Sequence, residues 1–371
     1  MKIRNFWVFI TLIIIFLSQS PVTGADDSSA PLFLLDNLQK FDRKGNVSLI
    51  QALENGNFLL ASVDYRTGDF KLLIASSRGR VYRRIKAPVK DAEYITADSD
   101  GNRILLYSPT NFSFYYWTRK SRKWKLIKER IGATPGFALF GGRKSYLYFK
   151  KDRIYAWGYY YDRAGEYLDE GLATIDPEKQ GEDSVNDIIR YSQMKKISKN
   201  YMPGAQNVRF VTVNPQYVVF NFSDNEQGFL VGYRRGTEED FLIDNFKRYQ
   251  GCDLREKSNI LAYAVQPLGN SSGGAMFLYD LDSQLPTRAF PGRYFNPRFA
   301  PDMKKIGVLR NQELINRIRL SALVIIELEG EEPGGEIGFP TSEPPLLWKF
   351  TGRRYNYVTY ITRDGVFRKK I

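Results

Sequence analysis

The chain has 371 residues, with 54 Lys or Arg against 41 Asp or Glu, a formal net charge of +13 and no histidine. Without an imidazole, Ser-His-Asp and Cys-His nucleophile pairs, a histidine general base and every histidine-containing zinc or haem site are excluded, while carboxylate chemistry survives. Hydrophobic residues make up 43% and aromatics 15%, enough for a substantial core, and the many Tyr and Phe favour strands over helices.

The chain opens with Lys2 and Arg4, an apolar run from Phe6 to Leu17, Pro21, and the small or short residues Val22, Thr23 and Gly24. That order is the one of a secretory signal peptide, and the run is short against the roughly 20 residues that span a bilayer as a helix. The expectation is cleavage after Gly24, leaving residues 25–371 as a single domain; an uncleaved N-terminal anchor, with membrane association, is the alternative. Processing removes two basic residues and no acid, so the remaining 52 basic and 41 acidic residues still carry +11. The single cysteine, Cys252, has no internal disulfide partner, and without an imidazole to activate it, it is expected to be a buried apolar side chain.

An apolar strand, a polar turn and a second apolar strand recur along the chain: SLIQALENGNFLLASV, EYITADSDGNRILLYS, GFALFGGRKSYLYF, VRFVTVNPQYVVFNF, CDLREKSNILAYAV and PRFAPDMKKIGVL. Anchored on Gly56, Gly101, Gly142, Pro215, Lys257 and Met303, the spacings are 45, 41, 73, 42 and 46. Four of the five match the roughly 40–45 residues of a four-stranded propeller blade. Each unit is followed by a second hairpin-like segment, such as DFKLLIASSRGRVYRRI, which supplies two outer strands. Such a sheet covers its apolar faces only by packing on its neighbours, so the units are expected to close into a ring.

The long interval contains Val185, Ile188, Ile189, Ser192 and Ile197 at near-helical spacing, with Asp183 and Ser184 placed to cap and lysines at the end. This predicts a short helical insertion near residues 182–198, either a surface decoration or a lid over one mouth of the ring. GEEPGGEIGFPTSEPP then reads as a surface loop, and LLWKF, YNYVTYIT and GVFRKKI as three final strands, the last two joined at Arg363-Asp364-Gly365. The apolar stretch 31–41, PLFLLDNLQKF, is placed to complete that sheet and close the ring across the termini. The fold class expected is all-β, a β-propeller of seven blades, or of six if the final strands complete the sixth.

Phe299-Ala300-Pro301-Asp302-Met303-Lys304-Lys305-Ile306-Gly307-Val308 resembles the F-S-P-D-G-K-K-I-A-F signature of WD40-like propeller repeats of the TolB type, and residues 97–106, ADSDGNRILL, are similar but looser. The resemblance implies that this turn joins the two innermost strands of a blade and that the apolar residues after it enter the inter-blade core. Met303 stands where that signature has Gly. The resemblance does not extend to TolB itself, whose propeller follows a sizeable α/β domain; it implies architecture and a habit of binding partners.

A catalytic reading would use carboxylates facing each other in the central channel, as a polysaccharide-active enzyme does. Glu93, Asp98 and Asp253 are the acids nearest innermost-strand positions, although Asp in a blade turn is ordinarily a turn former. Asp98-Ser99-Asp100-Gly101 offers oxygen ligands for a hard cation but lacks the Glu of a calcium loop, so no metal and no cofactor are expected. Basic and aromatic residues interleave in FYYWTRKSRKWKLIKER, GGRKSYLYFKKDRIYAWGYYYDR and GRRYNYVTYITRDGVFRKK, surfaces suited to polyanions, with nucleic acid disfavoured by export. Tyr159, Tyr160, Tyr161 and Arg163 form the single patch best suited to stacking on carbohydrate or peptide. The sequence thus points to an exported, periplasmic or extracellular, non-catalytic binding or scaffolding propeller engaging protein or anionic envelope material; the alternative is the channel carboxylate enzyme.

Overall fold

The computed structural model describes residues 32–33, 38 and 41–371, apart from 77–79, 93, 109, 111–112, 128–129, 132–135, 140–146, 151–152, 180–183, 255–258, 270–272, 316–317, 330–332, 339–346, 353 and 363–364. The signal segment, Glu93, Gly142 and Asp183 therefore lie outside the described residues.

The second strands of the repeats explain the architecture. Tyr217–Ser223 reads YVVFNFS, and Val218, Val219, Phe220 and Phe222 along it are all fully buried. Consecutive buried residues point to opposite faces of a strand, so this strand is covered on both sides, as in sheets stacked face to face. Outer strands behave differently. Leu285–Pro291 is solvated along most of its length, and its prolines fit an edge that makes no further ladder.

Seven antiparallel sheets result, each one a blade. Blade 1 is Gly45–Ala52, Asn57–Asp64, Phe70–Ser76 and Val81–Lys86. Blade 2 is Tyr94–Ala97, Arg103–Ser108, Ser113–Thr118 and Trp124–Ile127. Blades 4 to 6 begin with Asn207–Val213, Arg248–Leu254 and Tyr294–Phe299. Blade 7 is Leu347–Thr351, Tyr357–Thr362 and Gly365–Lys370, with Leu32–Phe33 from the N-terminal side paired to Phe367 and Arg368 as its outermost strand. The count is seven because the final three strands form a sheet of their own.

Every junction between blades carries its own apolar cluster. Leu59, Leu72, Ile104 and Trp117 fill the junction of blades 1 and 2, Leu323, Trp348, Phe350 and Tyr360 that of blades 6 and 7, and Val366 meets Val47, Phe58 and Leu73 where blade 7 returns to blade 1. Each fully buried aliphatic or aromatic side chain contributes about 1.5–3 kcal/mol of transfer free energy. A lone blade would forfeit that on both faces, which is why closure into a ring is the stable solution.

Blade 3 departs from the pattern. Gly136–Leu139 and Leu147–Lys150 both pair with the same edge of Arg153–Tyr161, so its innermost strand is split, and Arg130–Ile131 adds inside it. The helix is also displaced from its expected span. Val185–Arg190 is the outermost strand of blade 3, and the helix runs Tyr191–Tyr201. A register shift opposite Leu172 and Ala173 leaves Ile188 unpaired, so Ile188 and Ile189 are both buried. The β-bulge imitates helical periodicity in the sequence. The cap differs too: the Arg190 side chain at the N-cap makes no capping bond to the helix, and Asp169 from the neighbouring strand accepts from the Ser192 hydroxyl at 2.5 Å and from its amide at 3.3 Å. Met194 and Ile197 anchor the helix in the junction of blades 3 and 4.

Candidate functional site

The outer flank of blades 1 and 2 concentrates positive charge. Arg80 through Lys90 carries Arg80, Arg83, Arg84, Lys86 and Lys90 with no acid, and Arg119 through Lys125 carries Arg119, Lys120, Arg122, Lys123 and Lys125, again with no acid. Of these only Arg83 is partly buried, and the rest are exposed. The two runs adjoin because the indole of Trp124 donates to the Lys86 carbonyl at 2.7 Å, tying the outermost strand of blade 2 to that of blade 1. In the turn between Ser113–Thr118 and Trp124–Ile127 of blade 2, the Thr118 and Ser121 hydroxyls bond each other at 2.9 Å and Arg122 takes a left-handed φ of 54°.

Arg83 is the hinge of this charge. Its guanidinium donates to the Gly101 carbonyl at 3.0 Å and lies 5.6 Å over the ring of Trp117. Partial burial and then the crowding charges of Arg119 and Arg122 hold it below the usual arginine range, against the pull of Asp98. Strand alternation leaves Tyr82 and Leu126 exposed among the cations, at 52% and 51%, so the flank offers apolar contact as well as charge.

A second feature lies at the channel mouth where blades 5, 6 and 7 meet blade 1. A cavity of about 240 Å³ is lined by Glu54, Cys252, Asp253, Arg298, Phe299, Pro301, Trp348, Lys349 and Phe350. Glu54 sits in the turn between the first two strands of blade 1, which also bonds its neighbours: its amide donates to Ser99 at 2.9 Å, and its carbonyl accepts from Gly352 at 3.0 Å. Its carboxylate lies 3.5 Å from Lys349 Nζ. Burial pushes the Lys349 ammonium below the usual lysine range, with Glu54 opposing the shift. Cys252 is half-buried on this wall and packs against the apolar cluster between blades 4 and 5.

Of the candidate acids, the two among the described residues each hold backbone amides. Asp98 accepts from the Asn102 amide at 2.7 Å and pairs with Arg103 at 3.1 Å, the work of a turn former. Asp253 accepts from the amides of Leu254 at 3.0 Å and Phe299 at 2.8 Å, which clamps blade 5 to blade 6. Glu93 lies outside the described residues. Among the described residues no group of three possible metal ligands occurs.

The tyrosine patch is divided by the strand that carries it. Tyr160 is 6% exposed inside the junction of blades 2 and 3, with Phe137 at 5.1 Å and Arg190 4.3 Å over its ring, so it is not part of an exposed patch. Its hydroxyl is held well above the usual tyrosine range by burial and by the Asp187 charge. Three consecutive strand residues cannot share one face. Tyr159 and Tyr161 lie half-buried on the other face, with Arg163 exposed in the following turn. The well-exposed ring there is Tyr167, edge-on to Tyr159 at 5.7 Å.

FYYWTRKSRKWKLIKER is basic and aromatic in the sequence alone, but its continuity with the last strand of blade 1 is not visible there, because blade packing creates that contact. Arg298 and Lys349 were missed because blades 6 and 7 bring them together.

No family model matches the chain, and no curated protein matches it. Solved structures do. The chain is similar to a structure described under two prolyl endopeptidases, with TM-score 0.52 and 9% identity, over 85% of this chain and 46% of that one. It is also similar to Kluyveromyces lactis Hsv2, with TM-score 0.46 and 11% identity over 86% of this chain and 91% of that one, and to the β-propeller domain of Myceliophteria thermophila Cps50 (Swd1), with TM-score 0.45 and 11% identity over 88% and 99%. The chain is a seven-bladed β-propeller, and its likeness to the prolyl endopeptidase structure is one of fold.

Proposed function

We propose that the chain is an exported, non-catalytic binding propeller of the TolB-like kind, and that it engages anionic polymer of the cell envelope through the flank of blades 1 and 2. The observation that carries the reading is the junction of two acid-free basic runs, locked edge to edge by Trp124 and Lys86. Burial first, and then the neighbouring charges of Arg119 and Arg122, lower the Arg83 guanidinium below the usual arginine range, and cations that crowd one another gain when a polyanion neutralises them. TolB-like kinship rests on the Pro301-Asp302 turn between the first two strands of blade 6. Export rests on the order of residues in 1–24.

Retention on heparin resin tests the binding. Wild type is expected to elute at a salt concentration that falls markedly in R84E/R119E/K123E and not in K199E, a reversal on the remote helix. Retention unchanged from about 0.05 to about 0.5 M salt, over which the Debye length shrinks severalfold, would reject a charge-driven contact. N-terminal sequencing of the exported protein is expected to begin at Ala25; an intact Met1 would contradict processing.

A further inference from the structure

The channel-mouth cavity stands apart from the basic flank and differs from it in charge. Glu54 and Lys349 pair with each other at 3.5 Å. Asp253 directs its two oxygens to the amides of Leu254 and Phe299. Arg298 differs: its guanidinium makes one long donation, 3.4 Å from Nη1 to the Trp348 carbonyl, and has no ion pair among the described residues. It is exposed toward the opening and held 5.6 Å over the ring of Trp348. The remaining N–H groups of a guanidinium so placed form a fork that matches a carboxylate in bidentate fashion.

We infer that this cavity is a second binding site, for a small monocarboxylate with an apolar ring, anchored on Arg298. The surroundings select the class. Phe299, Trp348 and Phe350 supply apolar wall for a ring. Glu54 and Asp253 on the same wall repel a dianion such as phosphate, whereas one negative charge is balanced by one guanidinium. The volume of about 240 Å³ corresponds to about eight molecules of liquid water, room for an aryl acid of about ten heavy atoms or for one terminal residue of a peptide. A free aryl acid and the C-terminal carboxylate of a peptide ending in Phe share this chemistry.

Calorimetric titration separates the sources. Phenylacetate, acetyl-Gly-Phe with a free carboxylate and the same peptide as its amide are each titrated into the full chain. Binding of either free carboxylate, with the amide and methyl phenylacetate silent, supports the site, and the stronger of the two names the source. Arg298→Met is expected to weaken binding about tenfold or more, and Arg298→Lys by less, because the charge survives and the fork does not. Both variants should keep the wild-type circular dichroism and heparin retention, so that failure here is distinct from failure of the polyanion reading. Absence of binding by both free carboxylates, equal binding of the amide, or undiminished affinity in a folded Arg298→Met chain would overturn the inference.

Discussion

Lys349 on the first strand of blade 7 and Glu54 in the first turn of blade 1 meet at 3.5 Å, across the seam where the ring closes. Both side chains are partly shielded, so the pair falls between an exposed ion pair and a fully buried one. Glu54→Gln leaves the ammonium without its counter-charge and is expected to cost about 1–2 kcal/mol in denaturant unfolding. The sign with pH follows from the lowered lysine. The unfolded chain keeps this proton to higher pH than the folded one, so the group's contribution to stability rises as pH climbs from the folded value to the ordinary one. Comparison of wild type with Lys349→Met at about pH 8 and about pH 10 should show that rise in wild type and its absence in the variant.

Gly307 leaves room for Trp348. A Cβ on Gly307 would stand 2.5 Å from Trp348 Cη2 and 3.2 Å from Phe350 Cζ. Gly307→Ala therefore overpacks the junction of blades 6 and 7, with an expected loss of about 1–3 kcal/mol. Thermal unfolding should report the loss, and tryptophan emission should shift with the displaced indole.

Met303 stands in the turn between the first two strands of blade 6, and its φ is +64°. A left-handed non-glycine residue costs about 1–2 kcal/mol, against which glycine loses about 0.5–1 kcal/mol of additional chain entropy. Met303→Gly is accordingly expected to stabilise the chain by about 0.5–1 kcal/mol, read as a higher denaturant midpoint with an unchanged slope.

Much of this fold was legible because strand, turn, strand repeats carry local signals. Pro301-Asp302-Met303 sits in a blade turn, and Tyr357–Thr362 and Gly365–Lys370 form the expected final hairpin. The errors came where one signal has two physical sources. Ile188 and Ile189 share a buried side through a bulge, which reads in sequence as helical spacing. Three adjacent tyrosines look like one patch until the strand divides them. Of the acids, Asp253 does reach the channel wall, but its backbone donors come from its own strand and the next blade. Arg298, Lys349 and Glu54 lie on three blades, and no spacing along the chain brings them together.

Hydrogen exchange with and without a heparin oligosaccharide tests the polyanion reading most directly. Slowed exchange is expected in the peptides covering Val81–Lys86 and the Arg119–Lys125 turn, weakening as salt is raised. Protection confined to other blades, or none at a concentration that saturates binding, would contradict it.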